Sequence, residues 1–429
     1  MGFSRGPKWL RLKYRICSDL RRFPPVPVTL NSPVRLKSII IRNFRNIALA
    51  DLAFEGGRQF FTGENAQGKT NLLEAAGFIS ALRSFRAGDE RALIARGQPE
   101  AAIACVLEHE ILGETRVAIR LVPGGKEVRC DGERISKLGD YLGRFPTVVF
   151  TSQDLLLVRG PPGARRRWLD LVLAGTDSEY LRALQEYHRA LVSRNQLLKR
   201  GGSGAGFNAE LSAFERPLAR AAAQLSARRA ACVGKLNALA AAAYAQITTP
   251  AAAVSHPPAA AGGTLEGGGA VSPKPPPASA SLAYAPSVAD GATLDENAWA
   301  ALFADARQRD ILMRTTLSGP HRDDCELAVG GLPAREYASE GQQRALAISL
   351  RLAEAACLRD KAGVQPVLLA DDILGELDPC RRARFWASLN ETSAATQILA
   401  TGTAPPGAGL GAWQMFEVRG GEVRLMPVF

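Results

Sequence analysis

The chain lacks most of what would place it in a membrane, a disulfide scaffold or a zinc fold. No run of about eighteen uninterrupted apolar residues occurs, so nothing reads as a membrane-crossing helix. The seven cysteines, at 17, 105, 130, 232, 325, 357 and 380, form no C-x-x-C pair and are odd in number. Neither a disulfide framework nor a structural zinc site has support, and a reducing cytoplasm is the expected compartment. The four histidines are too dispersed to argue for a metal. Aromatic residues make up 7% and nowhere interleave with a basic run, so stacking on nucleobases is not expected. Internal repeats and coiled-coil heptads are missing too. Residues 1–34 have no apolar core of the kind a secretory leader carries.

What is present looks globular. Apolar residues reach 46% and charged ones 22%, an ordinary balance for a packed protein, and 429 residues suffice for two or three domains. Lys and Arg total 53 against 42 Asp and Glu, and the resulting +11 suits a polyanionic partner. Part of the excess sits in residues 1–34, where Arg5, Lys8, Arg11, Lys13, Arg15, Arg21 and Arg22 face a single acid, Asp19. That segment reads as a disordered basic arm or as an arm that touches DNA. A second weakly ordered stretch is expected over about 250–279, rich in Pro, Gly, Ala and Ser.

The most specific motif is Gly63-Glu64-Asn65-Ala66-Gln67-Gly68-Lys69-Thr70, which fits G-x-x-x-x-G-K-[ST]. Arg58 to Thr62 reads as a short strand before it, and the residues from Asn71 onward as a helix to about 86. Backbone N–H groups of such a loop curl around phosphate oxygens, and the helix N-terminus favours anions. Lys69 would reach the β/γ-phosphates, and Thr70 would hold Mg²⁺.

A phosphate loop needs a second carboxylate at a strand end. Gln365 to Ala370 is an apolar strand ending in Asp371 and Asp372. Asp371 is the expected Mg²⁺ carboxylate, and Asp372 is placed to polarise an attacking water. Just before that strand, Ser339-Glu340-Gly341-Gln342 opens a helix as a second anion cradle. Asp378 follows the two acids by a short loop.

Elsewhere, Leu36 to Phe44 alternates and reads as a strand, with 52–54 and 59–61 continuing a sheet into the loop. Strands are expected at 102–107, 116–121, 147–150, about 281–284 and 396–402. Residues 164–200 and 208–247 read as two antiparallel helices joined by the glycine-rich turn 201–206, and 295–314 and 341–358 as further helices.

These elements resemble the ATP-binding-cassette and SMC-like superfamily and, within it, the RecF family. The resemblance runs from about Leu36 to the C-terminus and weakens across 201–292. It is carried by residues 43–46, 63–75, 83–86, Asp154, 165–170, Gly319-Pro-His-Arg-Asp-Asp324, 341–344 and Asp371 to Asp378. It implies an α/β fold: an ATPase head with an inserted short antiparallel helical arm. The expected division is a basic extension 1–34, a first head lobe 35–160, the arm and second lobe 161–315, and a closing head segment 316–429.

The resemblance also implies a recombination mediator with weak ATPase activity. Such proteins bind ATP and Mg²⁺, dimerise on ATP and clamp DNA at gaps and single/double-strand junctions. With RecR and RecO partners they help load RecA. Under this resemblance Lys69 and Thr70 are phosphate and Mg²⁺ ligands, with Gly63 to Asn71 lining the nucleotide. Asp371 is the metal carboxylate, Asp372 the catalytic acid and Gln153 the metal-sensing residue. Ser339, Gly341 and Gln342 cap the nucleotide of a second copy, and Asp378 crosses the dimer seam.

Departures from the family pattern stand at Glu340 (usually Gln), Ser152-Gln153 (usually Pro-Glu) and Gly375 (usually Ser). Thr401 takes the place of a switch histidine. Arg83, Arg86, Arg165, Arg166 and Arg167 are candidate DNA contacts or equally structural ion-pair partners, and His321 reads as part of a tight structural turn. The rivals are a transporter's nucleotide-binding subunit, which the helical arm and the Asp-Asp pair argue against, and an SMC-like tether, which would need long heptads.

Overall fold

The computed structural model describes residues 34–427 apart from 87, 110–112, 137–138, 140, 249–278, 373–381, 383, 387–395 and 407–410. The chain divides between Leu30 and Asn31, and all described residues belong to the second unit. The basic arm 1–33, most of the Pro/Gly-rich stretch, Gly375 and Asp378 lie outside the described residues.

The strands run β1 (Arg35–Phe44), β2 (Ile47–Ala53), β3 (Arg58–Thr62), β4 (Ala101–His109), β5 (Gly113–Val122), β6 (Gly125–Cys130), β7 (Glu133–Arg134) and β8 (Thr147–Thr151). They continue with β9 (Ala280–Ala285), β10 (Asp324–Val329), β11 (Leu332–Pro333), β12 (Val367–Asp371), β13 (Ile398–Gly402), β14 (Gln414–Arg419) and β15 (Glu422–Leu425). The helices are α1 (Lys69–Ala81), α2 (Leu155–Arg159), α3 (Pro162–Thr176), α4 (Ser178–Arg200), α5 (Gly204–Thr248), α6 (Glu296–Asp305), α7 (Arg307–Met313), α8 (Ala334–Tyr337) and α9 (Glu340–Ala362).

The central sheet has the order β15-β14-β3-β13-β12-β8, and β14, β3, β13, β12 and β8 are mutually parallel. Parallel strands are covered on both faces and therefore read as apolar runs; the first four residues of β12, Val367 to Ala370, are all buried. On one face Phe61, Leu369 and Leu399 pack with Phe78 of α1 and with Ile39, Ile41 and Phe44 of β1. On the other, Phe60, Val148 and Ala400 pack with α3, α5 and α9 through Trp168, Leu236 and Leu350. The site is built on this sandwich.

An antiparallel sheet, β2-β1-β4-β5-β6-β7, covers α1. Residues 52–54 and 59–61 therefore do not continue one sheet: β2 pairs with β1, whereas β3 lies between β13 and β14. The turn at Gly56, with φ +68°, separates them.

The arm also differs in detail from the sequence pattern. Residues 164–200 form two helices, because the Asp177 carboxylate caps α4 by accepting from the N–H groups of Glu179 and Tyr180. The glycine turn shortens to Gly201–Ser203, since α5 begins at Gly204. The α4–α5 pairing is antiparallel, as ion pairs Arg200–Glu210 and Arg194–Glu215 near the turn and Arg228–Asp177 at the far end require. The 295–314 segment breaks at Ala306 into α6 and α7, and α1 ends at Ala81 because Leu82 turns left-handed at φ +50°.

Candidate functional site

The loop Gly63–Gly68 leaves the carboxyl end of β3 and enters α1 directly. Its shape depends on Gly68, which sits at φ +114°; a Cβ there would be strained and, at 2.8 Å from Asn46 Oδ1, would push the Asn46 amide aside. Lys69 is buried, and its ammonium donates to the carbonyls of Gly63 and Glu64, both at 2.7 Å. Glu64, Asn65 and Ala66 face solvent at the loop's crown.

Two hairpin turns brace the loop. Gln67 accepts through its backbone carbonyl from Gly421 N–H at 2.9 Å and from the Asn46 amide at 3.2 Å. Its side-chain oxygen accepts from Gly420 N–H at 2.7 Å. Asn46 in turn accepts from Asn71 at 2.8 Å, and Asn71 from Arg86 at 2.9 Å. Sequence reasoning missed these braces, Asn46 and the Gly420–Gly421 turn. The Gly-Gly pair between two short strands is a hairpin signal, but nothing local says that the hairpin ends against a loop 353 residues earlier.

Register alignment brings the remaining groups together. Asp371 at the end of β12 pairs laterally with Thr151 of β8 and Thr401 of β13, while Thr62 pairs with Gly402. The carboxyl ends of β3, β13, β12 and β8 thus form one rim, where open α/β sheets bind ligands. On that rim Thr70 Oγ1 donates to Asp371 Oδ1 at 2.8 Å, and Thr401 Oγ1 donates to the same oxygen at 2.9 Å. Asp372 is exposed and left-handed at φ +53°; its N–H donates to Thr401 Oγ1 at 3.0 Å. Burial pushes the Asp371 carboxyl above its ordinary range, and the hydroxyls of Thr70 and Thr401 pull it partly back.

A hydroxyl and a carboxylate oxygen converging beside a phosphate loop are hard donors of the type Mg²⁺ takes, alongside phosphate oxygens and water. Thr70 and Asp371 therefore fit the metal. Gln153 is exposed in the short 3₁₀ turn after β8, held there by Asp154, whose carboxylate accepts from Thr151 N–H at 2.8 Å and from Arg351 of α9 at 2.7 Å.

Ser339 caps α9 with a reciprocal box: its N–H donates to Gln342 Oε1 at 2.8 Å and its hydroxyl accepts from Gln342 N–H at 3.4 Å. Ser339 and Glu340 are exposed, and Gly341 and Gln342 half-buried, so the turn faces outward. The acid at Glu340 is balanced: Arg344 lies 2.9 Å away and Arg159 4.0 Å.

One of the arginine candidates, Arg165, is structural. Arg165 is buried and grips Asp324 with two bonds of 2.7 and 2.8 Å, and its remaining amine meets the carbonyls of Leu157 and Gly160. Arg86 is committed to Asn71 and lies 3.9 Å from the buried Glu74. Arg166 donates to the Asp323 carbonyl at 2.6 Å, while Arg83 and Arg167 stay exposed. His321 is held by the Tyr187 hydroxyl at 2.6 Å and the Thr316 carbonyl at 3.1 Å; burial lowers its pKa to about 4.

Known proteins fit this geometry. The family model of the RecF/RecN/SMC N terminal domain matches residues 35–406. "DNA replication and repair protein RecF" of Synechococcus sp. (strain JA-3-3Ab) is 36% identical, aligning 91% of this chain with 98% of that one. Its namesake in Myxococcus xanthus is 34% identical over 91% and 97%. A solved structure of "the recombination mediator protein RecF-ATP in RecFOR pathway" superposes with a TM-score of 0.78 at 26% identity, covering 92% of this chain and 99% of that one. An Smc head domain from Pyrococcus furiosus, at 14% identity and a TM-score of 0.50 over 92% of this chain and 96% of that one, shares the fold. With the domain family spanning nearly the whole described chain and relatives aligned over about nine-tenths of the sequence, the protein belongs to the RecF family of SMC-type ATPase heads.

Proposed function

We propose that the chain is a RecF-type recombination mediator: an ATP-dependent clamp that dimerises on ATP, grips DNA at gaps and single/double-strand junctions and releases it on slow hydrolysis. The observation that carries the reading is the chain of hydroxyls and acids at the strand ends, Thr70–Asp371–Thr401–Asp372, in a chain that also carries a buried loop lysine and an outward-facing serine turn at the start of α9.

Lys69 and the loop N–H groups neutralise and orient the phosphates. Thr70 and Asp371 would hold Mg²⁺, which would supply charge neutralisation to the phosphates. Asp372 accepts a proton from the attacking water, with Gln153 beside the same rim. Ser339, Gly341 and Gln342 of one copy cap the γ-phosphate bound by the other, using the N-terminal end of α9. Asp378 is assigned to the seam. Weak, DNA-stimulated turnover follows from a site that is complete only in the dimer.

DNA is held through its backbone with little sequence preference, in keeping with the +11 charge and the shortage of basic–aromatic runs. RecR- and RecO-type proteins are the partners, RecA loading is the outcome, and the nucleoid within the cytoplasm is the workplace. The proposed division is an extension 1–34, a first head lobe 35–160, an arm and second lobe 161–315 that contains the 250–279 stretch, and a closing head segment 316–429.

Sedimentation on gapped DNA tests the reading. ATP should convert a slow monomer into a faster, DNA-bound dimer, and ADP should not. Identical sedimentation with and without ATP would sink the clamp.

A further inference from the structure

Away from the strand-end rim, a cleft of about 960 Å³ opens between the segment that follows α1 and the helices α3 and α4. Its floor is aliphatic: Leu142, Leu171, Leu181 and Leu184, of which Leu171 is 39% exposed although it faces into the cleft. Its rim is cationic. Arg83, Arg167 and Arg189 line it, all exposed, and among the described residues none of them meets a carboxylate; Arg189 finds only the Gln185 carbonyl, at 3.3 Å. The acids on the rim are already used. Glu90 is taken by Lys126, and Asp170 accepts from the Tyr180 hydroxyl at 2.5 Å and from Arg229 at 2.8 Å.

An aliphatic floor beneath guanidinium groups, with the rim's acids already paired, has a specific complement. We propose that this cleft seats an acidic peptide segment of a partner protein, its carboxylates on Arg83, Arg167 and Arg189 and its aliphatic side chains on the leucine floor. Charge complementarity chooses the sign of the partner. The floor chooses its class: a nucleic-acid backbone needs only the guanidinium rim and would leave Leu142, Leu171, Leu181 and Leu184 uncovered. Leucine or isoleucine side chains instead gain by burying area against Leu171 and Leu184.

Arg166, on the same rim, has its pKa lowered by burial and by Arg229, so the rim gains from an incoming anion. The cleft also has an inner extension of about 130 Å³, shared at Arg83, Leu142 and Leu171, which reaches Arg351 and Glu354 of α9. An anchor placed there touches the helix that carries Ser339.

Fluorescence anisotropy on the full chain tests this. The probes are a fluorescein-labelled peptide of Asp and Glu with leucines spaced through it, an equally charged peptide with serines for leucines, and an oligo-dT strand. The leucine peptide should bind. The double variant Arg167→Glu, Arg189→Glu should weaken it about tenfold or more, and the serine peptide should bind about tenfold less tightly. Fluorescent-ATP binding, unchanged in the variant, confirms that it is folded and that its nucleotide site is intact. Three results overturn the proposal: no binding of the leucine peptide, equal binding of both peptides, or oligo-dT displacing the peptide and itself losing affinity with the same substitutions.

Discussion

Thr401 Oγ1 donates to Asp371 Oδ1 at 2.9 Å while accepting the Asp372 N–H at 3.0 Å. One hydroxyl on β13 therefore fixes both acids at the end of β12, the first by its carboxylate and the second by its backbone. Thr401 is fully buried, so bulk water does not compete for that hydroxyl.

Thr401→Val keeps the volume and removes the hydroxyl. The Asp372 N–H loses its acceptor, and the left-handed backbone at Asp372 loses that restraint. Single-turnover hydrolysis should slow by roughly ten- to a hundredfold, with ATP affinity changed by less than about threefold. Thr401→Ser should stay close to wild type. Equal loss of affinity and rate would instead make Thr401 a binding residue.

Lys69→Met and Asp372→Asn should separate binding from chemistry. The first removes the cation proposed to face the phosphates and should abolish ATP binding and ATP-stimulated DNA retention. The second should slow hydrolysis by about a hundredfold or more while ATP-dependent dimers persist. Analytical ultracentrifugation reads both, and loss of dimers in Asp372→Asn would move that acid from catalysis to binding.

Arg165→Ala should behave as a folding defect. It strands Asp324 beside a half-buried surface, and removal of one partner from such a pair costs about 3 kcal/mol or more. Thermal unfolding should drop by several degrees, while DNA affinity measured well below that transition stays unchanged. A selective loss of DNA binding at full thermal stability would return Arg165 to the DNA surface.

Acidification should weaken the fold through His321. Its folded pKa, about 4, lies below the ordinary 6.5. Between those values the unfolded chain holds a proton that the folded chain refuses. Stability present above 6.5 is therefore lost as pH falls toward 4, by up to about 3 kcal/mol. His321→Gln should flatten the thermal midpoint's pH dependence in that range. An unchanged slope would place the titration elsewhere.

Much of the site is legible locally. The phosphate loop, the apolar strand before Asp371 and the capping sequence from Ser339 each carry their own chemistry within a few residues. The braces are not: Asn46 and Gly420 meet Gln67 only because β1–β2 and β14–β15 end beside the same loop, and no local pattern records that. The split of 52–54 from 59–61 into two sheets is hidden for the same reason, since alternation specifies a strand and not its neighbour. Arg165 looks like its neighbours Arg166 and Arg167 in a basic run. Helical periodicity turns one of the three inward, onto Asp324.

The central claim is that the loop Gly63–Thr70 is half a site, completed by Ser339 of another copy. Mixing Lys69→Met with Ser339→Arg tests it most directly, by ATPase rate. Each variant alone should be inactive, whereas a mixed dimer carries one intact loop facing one intact serine turn. The mixture should recover roughly a quarter of the wild-type rate, as random pairing of two-fold dimers requires. A Ser339→Arg protein that hydrolyses ATP normally, or a mixture no more active than its parts, would contradict the account.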